Sequence, residues 1–285
     1  MHEGQTLRRA TEYFQAFPSA EEVFANRLEE HSEYLLPIAI VDLDRIIPGA
    51  HGKLPIAMPI EPAAGWGCVG DRSVEYHNYL CRPNWIGYRV IDGKLELACD
   101  FRYFHKEYLQ AHPPQDQHGR SEAESIGPHY EKIRREFEQR MLYFREHGVV
   151  RWSEHPYREG FPPPDSAPWM GNGAEYVFLS LVGDLGGQSV ETNWTGGFPI
   201  AIRSQPKKEE NPFKLPPIFK KHKISIEVVE IGAGLPVAVP LTEDGREFVY
   251  VGCFELGTYL NEADGGMLAF YDPQDQVLLT TFDWS

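Results

Sequence analysis

The chain has 285 residues, of which 42% are hydrophobic and 13% aromatic. That is enough apolar material for a large core, so wholesale disorder and a fibrous repeat are excluded. The net charge of −15 repels nucleic-acid phosphate and anionic lipid, which disfavours direct nucleic-acid or membrane binding.

The first residues, Met1 to Arg9, lack the apolar run of a signal peptide, and no long apolar stretch follows. The expectation is a soluble cytoplasmic protein. Four cysteines, Cys68, Cys81, Cys99 and Cys253, form no CxxC pair and are too few for a disulfide framework.

In chain order, Leu7, Ala10, Phe14 and Phe17 recur at helical spacing, and Ser19 with Glu22 makes a capping box. These predict a helical pair at the start. Residues Pro37 to Asp44 alternate on a period of two, which predicts a strand with Asp42 and Asp44 on one face. Asp92-Gly93 separates two strand-like runs from Tyr88 to Cys99 and predicts a hairpin with a type I′ turn. Ile126, Tyr130, Ile133, Phe137, Met141 and Phe144 mark one side of an amphipathic helix, with Gly148 placed to cap it.

Residues 152–174 are rich in proline and glycine and predict a linker or a long loop. Beyond them period-two runs recur at 176–181, 198–202, 224–228, 248–254, 267–271 and 277–282. Asp272-Pro273 begins a type I turn that joins the last two as a hairpin. The expected fold class is α+β, mainly antiparallel sheet toward the C-terminus and mixed helices and hairpins before it. The expected division is an α+β region over residues 1–151, the linker 152–174 and a β-rich region over residues 175–285.

Charge is unevenly laid out. Arg203 to Lys223 hold seven basic residues against Glu209 and Glu210, whereas Ile224 to Ser285 hold eleven carboxylates against Arg246 alone. Alternation along strands would gather those carboxylates on the solvated sheet face, where their field would steer a basic partner. The plainer reading is that acidic strands keep an exposed sheet soluble.

Phe248-Val249-Tyr250-Val251-Gly252-Cys253-Phe254-Glu255-Leu256, followed by Asp264-Gly265-Gly266-Met267-Leu268-Ala269-Phe270-Tyr271-Asp272, resembles the paired strand segments of the YwqG-like family of bacterial proteins. Gly186-Gly187-Gln188 near Trp194 and Pro199 is loosely similar to an earlier segment of that family. The likeness is confined to the C-terminal region. It implies a β-rich α+β fold without established catalytic machinery, and several relatives look like immunity proteins that block a secreted toxin. The expected function is therefore non-enzymatic occlusion of a toxin with a basic surface, such as a nuclease. The partner-binding candidates are Glu227, Glu255, Glu262, Asp264, Asp272 and Asp275.

Competing chemistry is thin. His105, His112 and His118 match no zinc spacing, and Pro113-Pro114 breaks any helix that would align them. Cys68 with His77 could serve a nucleophile if folding joined them, and the Asp42/Asp44 pair could hold a cation with a phosphate. Either would make the chain an enzyme, perhaps a hydrolase. Trp66, Tyr76, Tyr79, Trp85 and Tyr88 could line a ligand platform. No GxSxG, Walker-type loop or HExxH occurs. No catalytic residue, metal or cofactor is therefore assigned from the sequence.

Overall fold

A computed structural model describes residues 2–7, 10–46, 50–61, 68–150, 179–180, 200–204, 226–229, 236–260 and 265–283. They form an α+β fold in which every strand pairing is antiparallel. In chain order the strands are β1 (His2–Leu7), β2 (Phe14–Ala16), β3 (Leu35–Asp42), β4 (Lys53–Pro59), β5 (Trp85–Ile91), β6 (Lys94–Leu97), β7 (Leu179–Ser180), β8 (Ile200–Ser204), β9 (Ile226–Val229), β10 (Pro236–Pro240), β11 (Val249–Glu255), β12 (Gly266–Asp272) and β13 (Val277–Asp283). The helices are α1 (Ala20–Val23), α2 (Leu28–Tyr34), α3 (Leu43–Ile46), α4 (His105–Ala111), α5 (Gln117–His147) and α6 (Leu256–Tyr259). The largest sheet runs β6-β5-β13-β12-β11-β7-β1-β9; β2-β3-β4 and β8-β10 form two smaller ones.

The helix expected from the spacing of Leu7, Ala10, Phe14 and Phe17 does not form. Residues 2–7 and 14–16 are strands, β2 pairing with β3 from Phe14 opposite Val41 to Ala16 opposite Ala39. Phe14, Ala16 and Phe17 are buried in this arrangement, and Phe17 takes φ 51° as the chain leaves the strand. Sheet pairing therefore overrides the helical spacing. The Ser19–Glu22 capping box does form, and it starts the four-residue α1.

The β5–β6 hairpin turns on Asp92 (φ 49°) and Gly93 (φ 75°), as the type I′ expectation requires. The β12–β13 hairpin closes with Asp272 opposite Val277. Helix α5 is longer than its apolar row. Asp116 caps it by accepting from the Gly119 N–H at 2.8 Å, and the helix then runs through Pro128 to Gly148, whose left-handed φ of 72° ends it.

One core spans both expected regions. Ile126, Tyr130, Ile133 and Phe137 of α5 join Ile38, Ile56 and Leu95 as well as Phe254, Met267 and Phe282 in a single buried cluster. Strand β13 lies against β5, Val277 opposite Arg89 and Thr281 opposite Trp85. Residues on either side of 152–174 thus share a sheet, while 152–174 themselves lie outside the described residues. Arg140, buried to 1%, reaches across this core from α5, its guanidinium donating to the carbonyls of Thr258 at 3.4 Å and Leu260 at 3.3 Å.

Candidate functional site

Of the six carboxylates expected to form one acidic docking face, Glu255, Asp272 and Asp275 have described side chains, and Glu255 stands apart from the other two. Glu262 and Asp264 lie outside the described residues, and Glu227 is located only by its backbone on β9. Glu255 is exposed at the end of β11 opposite Gly266, whereas Asp272 ends β12 beyond the pairing of Val249 with Tyr271. Those ends are about 20 Å apart at roughly 3.4 Å per strand residue.

Asp272 does not face solvent. It is buried to 3% and accepts from Arg246 Nη1 at 2.7 and 2.8 Å. Arg246 also donates from Nη2 to exposed Asp275 at 2.5 Å and from Nε to Asp244 at 2.8 Å. The bond from Arg246 is the largest influence pushing Asp244 down to about 2. Arg246, the single basic residue of the acidic segment, thus gathers three carboxylates and offsets only part of their charge.

The other candidates also resolve into structural contacts. Asp42 ends β3, but Asp44 belongs to α3, so the two do not share a strand face. Asp42 Oδ1 instead accepts from the Asp44 N–H at 3.1 Å, and Asp44 pairs with His51. The Cys68 thiol is raised by burial and by Asp71, the opposite of what thiolate formation needs, and His77 Nε2 lies 2.7 Å from the Gly70 carbonyl. His105 lies 3.2 Å from Glu122, which Arg72 also holds at 2.7 Å, while His112 stacks on Tyr108. Among the described residues no three His, Cys, Asp or Glu side chains are grouped to hold a metal ion. Trp85 and Tyr88 are fully buried core residues rather than members of a platform, and Trp66 lies outside the described residues.

A different feature carries more. The segment leaving β6 enters a 3-10 turn, Phe101–Tyr103, because Asp100 accepts from the Arg102 N–H at 2.9 Å. That turn, α2 and α4 enclose a cleft of about 370 Å³ lined by Arg27, Glu30, Tyr34, Asp100, Phe101, Arg102 and Glu107. Arg27 precedes α2 in the left-handed region, φ 47° and ψ 45°, without a side-chain cap. A bulky residue is rarely held there. In this position its guanidinium lies 4.5 Å from the centre of the Phe101 ring and pairs with Glu30.

On the other wall Arg102 forks onto Asp100, Nε to Oδ1 at 2.9 Å and Nη2 to Oδ2 at 2.7 Å, and lies over Tyr76. The Asp100 carboxyl is held below its ordinary value, first by that Arg102 bond. Tyr34 donates to Glu107 Oε2 at 2.5 Å and stacks on Phe104. Burial, then Glu107, keeps the Tyr34 hydroxyl protonated far above the usual tyrosine range.

Behind the cleft, Lys106 pairs with Glu33 and sits 5.1 Å from the Tyr130 ring centre. Burial alone would raise Glu33, but Lys106 and Arg134 hold it low. Three carboxylates and two guanidiniums therefore surround an aromatic face. Sequence reading missed this site because its residues come from separate elements; the one local signal was the Asp100-Phe101-Arg102 turn.

Comparisons of the chain with family models, with curated proteins and with solved structures each return no match. No helix among the described residues is long and apolar enough to cross a membrane.

Proposed function

We propose that the chain acts in the cytoplasm as a non-enzymatic binding protein for a cationic protein, in the manner of the toxin-blocking immunity proteins among the YwqG-like relatives. The observation that carries the binding reading is Arg27. A strained backbone sets its guanidinium on Phe101 at the mouth of a carboxylate-lined cleft. A partner's arginine or lysine fits the same position, stacking on Phe101 and taking Glu30, Asp100 or Glu107 as Arg27 swings away. The net charge of −15 favours approach of such a partner and disfavours phosphate. Exposed Glu255 is the second candidate contact.

The test is co-expression with the product of the neighbouring reading frame, which on this reading encodes a secreted effector, followed by isolation of the complex and measurement of its association rate against salt. Glu30→Lys with Asp100→Lys should slow association about tenfold or more and flatten its salt dependence. If only Glu255→Lys has that effect, docking belongs to the end of β11. If no complex forms and cells are not protected, the binding reading fails.

A further inference from the structure

Outside the cleft, two thiols meet at the open end of the β5–β6 hairpin. Asn78 organises this end. Its Oδ1 accepts from the Cys81 N–H at 2.9 Å, its backbone N–H donates to the Cys81 carbonyl at 3.0 Å, and its Nδ2 donates to the Ala98 carbonyl at 2.7 Å. The Gly87 carbonyl then receives both the Ala98 N–H at 3.0 Å and the Cys81 thiol at 3.8 Å. Cys99 directly follows Ala98, so the bonds that converge on the Gly87 carbonyl set it beside Cys81. Cys81 is fully buried and Cys99 only partly so; neither is in a disulfide.

We infer that Cys81 and Cys99 are a built dithiol site, which a low-molecular-weight disulfide of the oxidised-glutathione class converts into an internal disulfide stapling the hairpin. The exposure difference sets the order. Cys99 sulfur, deprotonated, attacks one sulfur of the oxidant; the oxidant's S–S bond breaks and the departing small thiolate takes a proton. Cys81 sulfur then attacks Cys99 sulfur, the mixed disulfide breaks, and a second small thiol leaves with the other proton. Two protein thiols lose two electrons, and one small disulfide becomes two thiols.

Burial raises the Cys99 thiol well above its ordinary value, so this exchange is slow at neutral pH and accelerates about tenfold per pH unit until the thiol ionises. The site is independent of the binding reading, since it needs no protein partner. Its product would nevertheless anchor the segment that leads into Asp100, Phe101 and Arg102.

The experiment incubates the native full chain with oxidised glutathione at rising pH, with circular dichroism confirming that the fold persists. Products are read by non-reducing peptide mapping and by thiol titration after denaturation. The expected result is a Cys81–Cys99 peptide, a fall from four titratable thiols to two, and a thermal midpoint raised by several degrees. Cys81→Ser should stop the reaction at a stable glutathione adduct on Cys99; Cys81→Ala, milder for a buried site, serves if the serine variant does not fold. A stable Cys99 adduct in the parent chain, linkage of either thiol to Cys68 or Cys253, or four thiols still titrating would overturn the inference.

Discussion

Glu61, just after β4, shows how one buried group sets a pH response. Its Oε1 accepts from the Tyr130 hydroxyl at 2.6 Å and from the Lys106 N–H at 3.3 Å, which closes the start of α4 where Phe104 offers no side-chain cap. Burial pushes the Glu61 carboxyl from 4.5 up to about 7, while the Tyr130 and backbone bonds pull it back. Because the folded value lies above the unfolded one, the stabilising contribution is full below pH 4.5. It is lost as pH rises through 7, on the order of 3 kcal/mol in all.

Glu61→Gln should therefore gain on the parent chain as pH rises from 5 to 8, measured by urea midpoints at each pH. A constant gap between the two would mean that Glu61 is ionised throughout. His31 and His105 slope the other way. Burial lowers both, so their contributions are present above pH 6.5 and are lost as pH falls below it. His31 accepts from the Leu97 N–H at 3.1 Å through Nε2, which requires the neutral ring. None of this was legible in the sequence, since Glu61 and Tyr130 are 69 residues apart and meet only in the folded chain.

At the scale of elements, local chemistry was readable where a turn or cap is closed by its own neighbours. Asp92-Gly93, Gly148 after α5 and the Asp272 turn each satisfy backbone groups within a few residues, so their signals survive folding. The opening strands were misread because Phe14 and Phe17 sit at helical spacing while their partners, Val41 and Ile38, lie far along the chain.

Two glycines of the same hairpin separate these influences. A Cβ on Gly93 meets nothing within 4 Å, so Gly93→Ala should cost only the left-handed backbone penalty, about 1 kcal/mol. A Cβ on Gly87 would overlap the Leu80 side chain, so Gly87→Ala should be the more damaging, by about 1–3 kcal/mol. Thermal midpoints decide the order. Equal losses would mean that Leu80 moves aside without penalty.

Across the whole molecule, composition suggested two regions, and the α+β class follows from the same patterns that suggested them. Strand pairing draws the two together in a way that no local signal carries. Thr281 donates to the Asn84 carbonyl at 2.7 Å, and Asn84 Nδ2 donates to the Phe282 carbonyl at 2.9 Å, so β13 is bonded to the segment before β5 by side chains as well as by the ladder. Expressed alone, residues 1–151 should lack a cooperative thermal transition, because β5 would expose its β13-facing edge and the core would lose Phe254, Met267 and Phe282. Co-expression with residues 175–285 should restore the transition. A cooperative fragment of residues 1–151 would show that its core closes without β13.

The same pairing governs when the protein can acquire its shape. On the ribosome, β5 and β6 emerge together but long before β13, which takes the other edge of β5 in the finished sheet, and β1 must likewise wait for β7 and β9. The nascent chain therefore carries open edges through most of its synthesis. Slow, post-translational closure follows, with chaperones the natural guard of that interval.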